Sequence, residues 1–312
     1  MLLALPDLTH SFSARKHGAT GYGMCQEASA MNSMRKIVDA EIALVSNPDA
    51  RQALSDSYTQ AADAAQSIER FFEDFTARAW GDQARRVFFR NWRSPGTGAA
   101  SFCALTFRLL EAAEKSAQGW QRELLYRCAT RLSEVSHEDV GIGGTDHQRL
   151  YDDFATRLAG SDEWKLDRYH IPGLKAFVGF SRYYRQNGDD LGRAMIISLP
   201  EELYNHGEFS FAAAKFSRWH RDVLQRPEQS WKEDLKFIHD HLGDTERGHF
   251  ASLVRGFEDY CSAVAFQPDW SLLREANVGL LEDMAEYYRV LFKRLVEADA
   301  RDRSVARERA IA

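Results

Sequence analysis

Only seven prolines interrupt this chain of 312 residues, and its long stretches rich in Ala, Leu, Arg and Glu favour helix almost throughout. The alternation of apolar and polar residues that indicates a strand is nearly absent. Apolar residues make up 44% of the chain and aromatic residues 12%, which is enough to bury a full core. The sequence therefore predicts an all-α fold, with a single domain over 25–300, an irregular arm over 1–24 and a charged tail over 301–312.

Helix-start and turn signals divide this domain into helices. Asn47 is predicted to cap a helix that Pro48 begins, and Pro200 with Glu201 suits the first turn of another. Breaks are predicted where Gly, Pro and Asn cluster, at 94–98, 141–144 and 187–188. Unbroken helices are predicted over 100–138, 200–224, 230–265 and 270–298.

Charge and cysteine content exclude several classes of protein. The formal charge of −6 is small for this length, and Lys and Arg are scattered, so the sequence predicts no surface for nucleic acid or anionic lipid. No signal peptide or long apolar run is present, and the cysteines are far apart, at Cys25, Cys103, Cys128 and Cys261. We therefore predict a cytoplasmic protein with reduced thiols that binds neither nucleic acid nor a membrane.

The densest group of imidazoles and carboxylates lies at 237–250, in FIHDHLGDTERGHF. Glu246 and His249 are three residues apart and therefore share a helix face, which is how helical bundles direct two ligands to one iron. In a straight helix His239 lies on that face and His241 roughly 100° away, whereas a π-bulge would bring His241 onto it. The segment predicts metal ligands, with Asp244 open as a replacement for Glu246.

One helix supplies only part of a coordination sphere, and two other segments carry further candidates. Glu138 and Asp139 end a predicted helix, and His147 begins the next helix after a glycine turn. Glu202 and Glu208 lie on a helix rich in aromatic residues, where a buried acid needs a partner. Imidazole and carboxylate ligands suit iron, and the absence of cysteine from these segments argues against zinc–thiolate and iron–sulfur sites.

These segments, over about residues 100–255, resemble the haem-oxygenase-like di-iron oxidases, relatives of the thiaminase-like and quinone-cofactor-synthase-like bundles. Glu138 or Asp139 followed by GIGG and His147 looks like the first element of that family. Glu208, thirty-three residues before His241, looks like the second, and the segment ending in His249 looks like the third. The resemblance implies a haem-oxygenase-like helical bundle with two ferrous ions per chain and O2 as co-substrate.

The same resemblance implies a ligand set and a type of reaction. The implied ligands are Glu138, His147, Glu208, His241, Glu246 and His249, with Asp139, Glu202, His239 and Asp244 open as alternatives. The implied activity is O2-dependent oxidation of a small amine, carboxylic acid or amino-acid-derived substrate, by oxygenation of nitrogen or cleavage of C–H or C–C bonds, as in natural-product biosynthesis. An external reductant and a homodimer are compatible with this activity.

A substrate pocket beside the metal would be lined by the same helices. The candidates for its walls are Tyr151, Tyr204, Phe209 and Phe237. Two other classes of function stay open from the sequence. One is a metal-independent enzyme on the same bundle, with Glu208 as acid or base, and the other is a helical interaction protein whose histidines form a polar surface.

Overall fold

The structure of the chain is a computed structural model that describes residues 33–93, 96–142, 144–242 and 244–311. Side chains are described throughout these ranges except at 96, 97, 244–246 and 309–311. This part of the chain is a bundle of α-helices without any strand, which confirms the predicted all-α fold class. The predicted arm over 1–24 lies outside the described residues.

Fourteen α-helices are present in the described ranges, and shorter 3₁₀ and π-helical turns connect some of them. The helices are α1 (Met34–Ile42), α2 (Pro48–Gln60), α3 (Ala62–Thr76), α4 (Asp82–Asn91), α5 (Gly96–Lys115), α6 (Gly119–Asp139), α7 (His147–Ala159), α8 (Ala176–Asn187), α9 (Leu191–Ile196), α10 (Ser198–Arg218), α11 (Trp231–Asp234), α12 (Lys236–Asp240), α13 (Asp244–Val264) and α14 (Trp270–Ile311).

Side-chain caps start several of these helices. The Asn47 side chain accepts the backbone N–H of Ala50 at 3.0 Å, and Pro48 begins α2, as predicted. The Asp146 side chain likewise accepts the backbone N–H of Arg149 at 2.8 Å and so caps α7. Each cap satisfies a donor that the first turn of a helix leaves without an intrahelical partner.

The predicted helix over 230–265 is wrong in one respect, because the structure divides it into α11, α12 and α13. At the end of α12 the N–H groups of His241 and Leu242 bond to the carbonyls of Ile238 and His239, three residues back rather than four. Of the two geometries left open for His241, the π-bulge is therefore not formed at the end of α12. A π-helical turn occurs instead at Trp219–Val223.

Two other helix ends differ from the prediction. The predicted helix over 100–138 is interrupted between α5 and α6. In addition, α14 continues through the predicted charged tail, and its acids contact the start of α4. Asp299 accepts the backbone N–H of Gly81 at 3.0 Å, and Asp302 accepts that of Gln83 at 2.9 Å. Asp302, at the beginning of the tail, therefore helps to cap the first turn of α4.

Helix α10 forms the centre of the bundle. It packs against α1, α3, α13 and α14, and buried residues occur all round it, as expected for a helix in the core. Helix α6 packs against α5 and α13, while α7 packs against α4, α11 and α12. The segments that carry the predicted ligands are therefore neighbours in the fold.

An aromatic cluster fills the core beside these segments. Phe75 and Phe88 stack with ring centroids 4.0 Å apart, and Trp92 stacks on Phe216 at 5.2 Å. Such large rings contribute much of the apolar area that a core buries. The cluster fixes the C-terminal end of α4 deep in the bundle, where the carbonyl groups of that helix end become available to side chains of other segments.

Two remaining predictions concern thiols and membranes. The cysteines that the structure describes, Cys103, Cys128 and Cys261, form no disulfide. Within the described ranges, none of the helices combines the length and the apolar character needed to cross a bilayer.

Candidate functional site

The turn between α6 and α7 brings a carboxylate and an imidazole together. Gly141 adopts φ +80°, and a Cβ atom at this position would lie 2.5 Å from the backbone nitrogen of Asp146. Only glycine permits both the left-handed backbone and this close approach. The turn therefore places the start of α7 against the end of α6, where Nδ1 of His147 lies 2.8 Å from Oδ1 of Asp139.

His249 connects three helices. Its Nε2 atom lies 2.9 Å from Oε2 of Glu138 on α6, and its Nδ1 atom lies 3.5 Å from Oε2 of Glu202 on α10. The side chains of His249 and Glu202 are each only 5% exposed, whereas that of Glu138 is 50% exposed. The hydrogen bond from His249 holds the pKa of Glu138 below its ordinary value, so Glu138 is a carboxylate at neutral pH.

His241 lies beside His147, with the two ring centroids 4.3 Å apart. Nδ1 of His241 donates to the carbonyl oxygen of Phe237 at 2.5 Å, because a carbonyl only accepts. This tautomer leaves Nε2 with a lone pair, and the ring is stacked on Phe209 at 4.3 Å. Burial lowers the pKa of His241 well below its ordinary value, so the ring is neutral, the form that binds metals.

A cavity of about 620 Å³ lies against these groups. Six of the predicted or alternative ligands line it: Asp139, His147, Glu202, Glu208, His241 and His249. All four residues predicted for the substrate pocket also lie in its wall, namely Tyr151, Tyr204, Phe209 and Phe237. The volume falls within the range of pockets that enclose small molecules. Glu138 contacts His249 from outside this lining.

Glu208 lines the same cavity but is hydrogen-bonded to residues other than the predicted ligands. Its Oε1 atom accepts hydrogen bonds from Trp92 at 3.0 Å and from Arg93 at 2.8 Å. Its Oε2 atom accepts from the hydroxyls of Tyr204 and Tyr288. Both oxygens are thus engaged by two donors each, and none of these bonds comes from a predicted ligand. The alternative acid, Glu202, is the one that the structure brings to His249.

The other candidates on the histidine-rich segment fall into two groups. The ring of His239 lies tilted against Trp231 with centroids 4.2 Å apart, and among the described residues its buried Nε2 atom has no hydrogen-bond partner. The helix face that was expected to join His239 to His249 is absent because α12 ends before α13 begins. The side chains of Asp244 and Glu246 lie outside the described residues.

The fit of these residues to iron is good in chemistry and incomplete in geometry. Three imidazoles and several carboxylates line or adjoin one cavity, and these are the donor types that iron takes in helical bundles. Among the described side chains, however, no three His, Cys, Asp or Glu groups surround a single point. Glu138 and Glu202 lie on opposite nitrogens of His249, so they converge on the ring rather than on one ion. Each imidazole here is paired with an acid or a carbonyl instead.

Two cations in the cavity wall carry no signal in the sequence pattern. Arg93 follows α4 and donates to Glu208 and to Asn205, the latter at 2.9 Å. Lys175 directly precedes α8 and borders the same cavity. Neither belongs to a periodic face or a ligand spacing, and their neighbours come from distant parts of the chain. Only the packing of the helices reveals them.

Comparisons of this chain with protein-family models, with curated proteins and with solved structures found no match. What can be inferred about its function therefore comes from its own residues and their geometry.

Proposed function

We propose that this protein is a non-haem di-iron enzyme of haem-oxygenase-like architecture that uses O2 to oxidise a small carboxylic acid, amine or amino-acid-derived substrate. The observation that carries the proposal is that His147, His241, His249 and Glu202 line one cavity, while Glu138 contacts His249 from beside it. Four separate helices and the turn after α12 supply these side chains. Imidazoles and carboxylates that converge from distant segments are the usual composition of an iron site in a helical bundle.

Burial distinguishes this cluster from a polar surface. His147, His241 and His249 are 7%, 3% and 4% exposed. The acid partners of His147 and His249 come from other helices or from across the glycine turn rather than from helical spacings of the same segment. Histidines that merely decorated an interaction surface would face solvent, so the geometry disfavours the interaction-protein alternative.

The pairings suggest different roles for neighbouring acids. Asp139 accepts from Nδ1 of His147, and such a bond fixes the ring so that Nε2 is presented to a metal. The carbonyl of Phe237 does the same for His241. We therefore assign Asp139 an orienting role and retain Glu138, which the resemblance implies, as the ligand from α6. On α10 we assign the ligand role to Glu202, because Glu208 already accepts four hydrogen bonds.

These residues would hold two ferrous ions, with Glu246 or Asp244 available to complete the set. When bound, ferrous iron supplies the activation of O2. The protein's own part is to enclose the substrate and to exclude water. Phe209 and Phe237 pack on His241 with ring centroids 4.3 and 4.4 Å away. The cavity wall around this imidazole is therefore apolar. That wall limits the access of bulk water to the reacting substrate.

The same contacts weaken the metal-independent alternative. An acid or base must have a free oxygen within hydrogen-bond reach of the proton that it moves. Both oxygens of Glu208 are instead occupied by donors, including the guanidinium group of Arg93. Glu208 is thus placed to hold Arg93 and the surrounding hydroxyls rather than to exchange protons with a substrate.

An anaerobic titration with ferrous iron tests the proposal. The wild-type protein should bind two equivalents, and exposure to O2 should then give a transient absorption in the visible range. His249→Ala should lose at least one equivalent and the transient, because His249 joins the acids of α6 and α10. Circular dichroism should show unchanged helix content.

His239→Ala is the matched control, because it removes an imidazole from the same segment that faces Trp231 instead. This variant should bind iron as the wild type does. Retention of two equivalents in His249→Ala, or an equal loss in both variants, would contradict the proposed site.

A further inference from the structure

Lys175 is a half-buried cation in the wall of the candidate cavity that the roles above do not use. Its ammonium group contacts protein groups of α4 and α14. Burial, reinforced by the nearby Arg93, lowers the pKa of Lys175 to about 7. A cation in such a place is costly unless an opposite charge compensates it.

The ammonium group is fixed by the end of α4. It donates to the carbonyl oxygens of Trp92 at 2.6 Å and Asn91 at 3.2 Å, and it lies 4.4 Å from the centre of the Tyr287 ring. These contacts suit the negative end of a helix dipole and the face of an aromatic ring. An ammonium group has three N–H donors, so one donor remains for a further acceptor.

The acids near Lys175 are already committed to other donors. Asp283 accepts the backbone N–H of Phe177 at 3.0 Å. Glu208 accepts from Arg93, Trp92 and two tyrosines, as described above. In the described part of the chain, no carboxylate lies within ion-pair distance of Lys175. The described residues therefore leave an ammonium group beside the cavity with no carboxylate paired to it.

The backbone at Lys175 also departs from what its side chain prefers. Its φ and ψ angles are 61° and 50°, a left-handed conformation that costs a residue with a Cβ atom about 1 kcal/mol and glycine nothing. Non-glycine residues in this region are concentrated at ligand sites. A glycine at this position would form the same turn without that cost, so the turn itself does not require a lysine.

The charge of the whole cavity points in the same direction. Its described lining contains five cationic side chains and five carboxylates, so the protein alone is balanced there. Bound ferrous ions would make the loaded cavity positive, which favours an anionic substrate. Leu174, Val178 and Met284 supply apolar wall, and the Phe209 ring that His241 stacks on also lies 4.2 Å from the guanidinium carbon of Arg93.

We propose that Lys175 binds a carboxylate group of the substrate and thereby determines its orientation, so that the apolar body of a small organic acid extends along the cavity toward the imidazoles. This inference deepens the proposed function, because it rests on the same cavity being the substrate site. Within the substrate classes named above, it selects those that carry a carboxylate. Lys175 is a specificity-determining residue on this view and has no role in holding iron.

Calorimetric titrations of iron-free protein at pH 6.5, in a carboxylate-free buffer cleared of metal by a chelating resin, test the proposal. The probes are butanoate, benzoate and 4-phenylbutanoate, each compared with the alcohol of the same carbon skeleton. At least one carboxylate should bind the wild type more than tenfold more tightly than its alcohol. Lys175→Met should abolish that preference, because the alcohol and the acid differ only in the group that the ammonium would contact.

Two further variants separate binding from folding. Lys175→Gln keeps a donor for the α4 carbonyls without the charge, so it should stay folded and lose the preference as well. Lys215→Met is the matched control. That lysine is half-buried and lies 4.7 Å from the centre of the Phe211 ring, but it is paired with Glu73 at 2.7 Å and stands outside the cavity lining. It should keep the preference.

The outcomes distinguish this proposal from the iron proposal. A wild type that shows no preference for any carboxylate, or a folded Lys175→Gln that keeps the preference, overturns the role of Lys175 whatever the iron titration gives. Loss of the preference in both Lys175 variants with unchanged iron uptake supports it. If the wild type prefers carboxylates but binds no iron, the anion site stands and the proposed function fails.

Discussion

At the scale of single residues, the position of an acid on α10 decides what it does. Glu202 and Glu208 are six residues apart, so their side chains leave the helix roughly 120° from each other. One reaches His249, and the other reaches Trp92, Arg93 and the tyrosine hydroxyls. The sequence offered both as ligands, because a helix with buried residues all round has no polar face that orients it.

Substitution of each acid by its amide should separate these roles. Glu202→Gln should weaken binding of one ferrous ion by at least about tenfold and change the free energy of unfolding little, because it removes a ligand from a pair that is 3.5 Å apart. Anaerobic iron titration measures the first effect and urea unfolding the second. Equal iron affinity in this variant and the wild type would exclude Glu202 as a ligand.

Glu208→Gln should give the opposite result. Loss of its charge leaves the largely buried Arg93 without its carboxylate, which should lower the free energy of unfolding by about 2–4 kcal/mol. The folded fraction should still bind iron as the wild type does. Loss of iron without loss of stability would restore Glu208 to the ligand set that the resemblance implied.

At the scale of elements, turns rather than helices bring the site together. The tight turn after α6 sets Asp139 against His147, and the end of α12 aims His241 at the same place. The glycine turn was predicted from the cluster of glycines at 141–144. The break at His241 was not, because the helical periodicity of 230–265 continues through it and the terminating hydrogen bonds depend on the local backbone.

Gly141→Ala should disrupt the first of these turns. The Cβ atom of alanine would clash with the backbone of Asp146, and the alanine would have to adopt a φ of +80°. The free energy of unfolding should therefore fall by at least about 2 kcal/mol. Iron affinity should fall as Asp139 and His147 separate. Thermal unfolding and iron titration measure the two effects.

Gly144→Ala is the control within the same turn. Nothing lies within 4 Å of a Cβ atom there, so its stability should stay within about 0.5 kcal/mol of the wild type. Equal stability of the two variants would show that the close approach at Gly141 does not govern the turn.

At the scale of the whole molecule, the charge of Lys175 in the cavity wall lowers the stability of the folded state. Lys175 has a pKa of about 7 in the folded protein and about 10.4 when unfolded. Below pH 7 both states are protonated and the full cost of burying the charge is present. Between pH 7 and 10 the unfolded state binds more protons, so the folded state gains stability as the pH rises.

The difference in the free energy of unfolding between the wild type and Lys175→Met measures this contribution. As the pH rises from 7 to 9, the free energy of unfolding of the wild type should increase relative to that of Lys175→Met, by at most about 1.4 kcal/mol per pH unit. Urea unfolding in acetate-free buffer provides the measurement. A difference that stays constant over this range would show that the ammonium group keeps its proton in the folded protein.

The sequence by itself determined the all-α class, the cap at Asn47 and the segments that carry imidazoles and carboxylates, because helix propensity, capping and ligand spacing are local properties. The tertiary structure decided which side chains meet. It turned Glu202 toward His249, engaged Glu208 with Arg93, turned His239 toward Trp231 and enclosed Lys175. These outcomes depend on the rotation of each helix about its axis, which the packing of neighbouring helices sets and no single segment encodes.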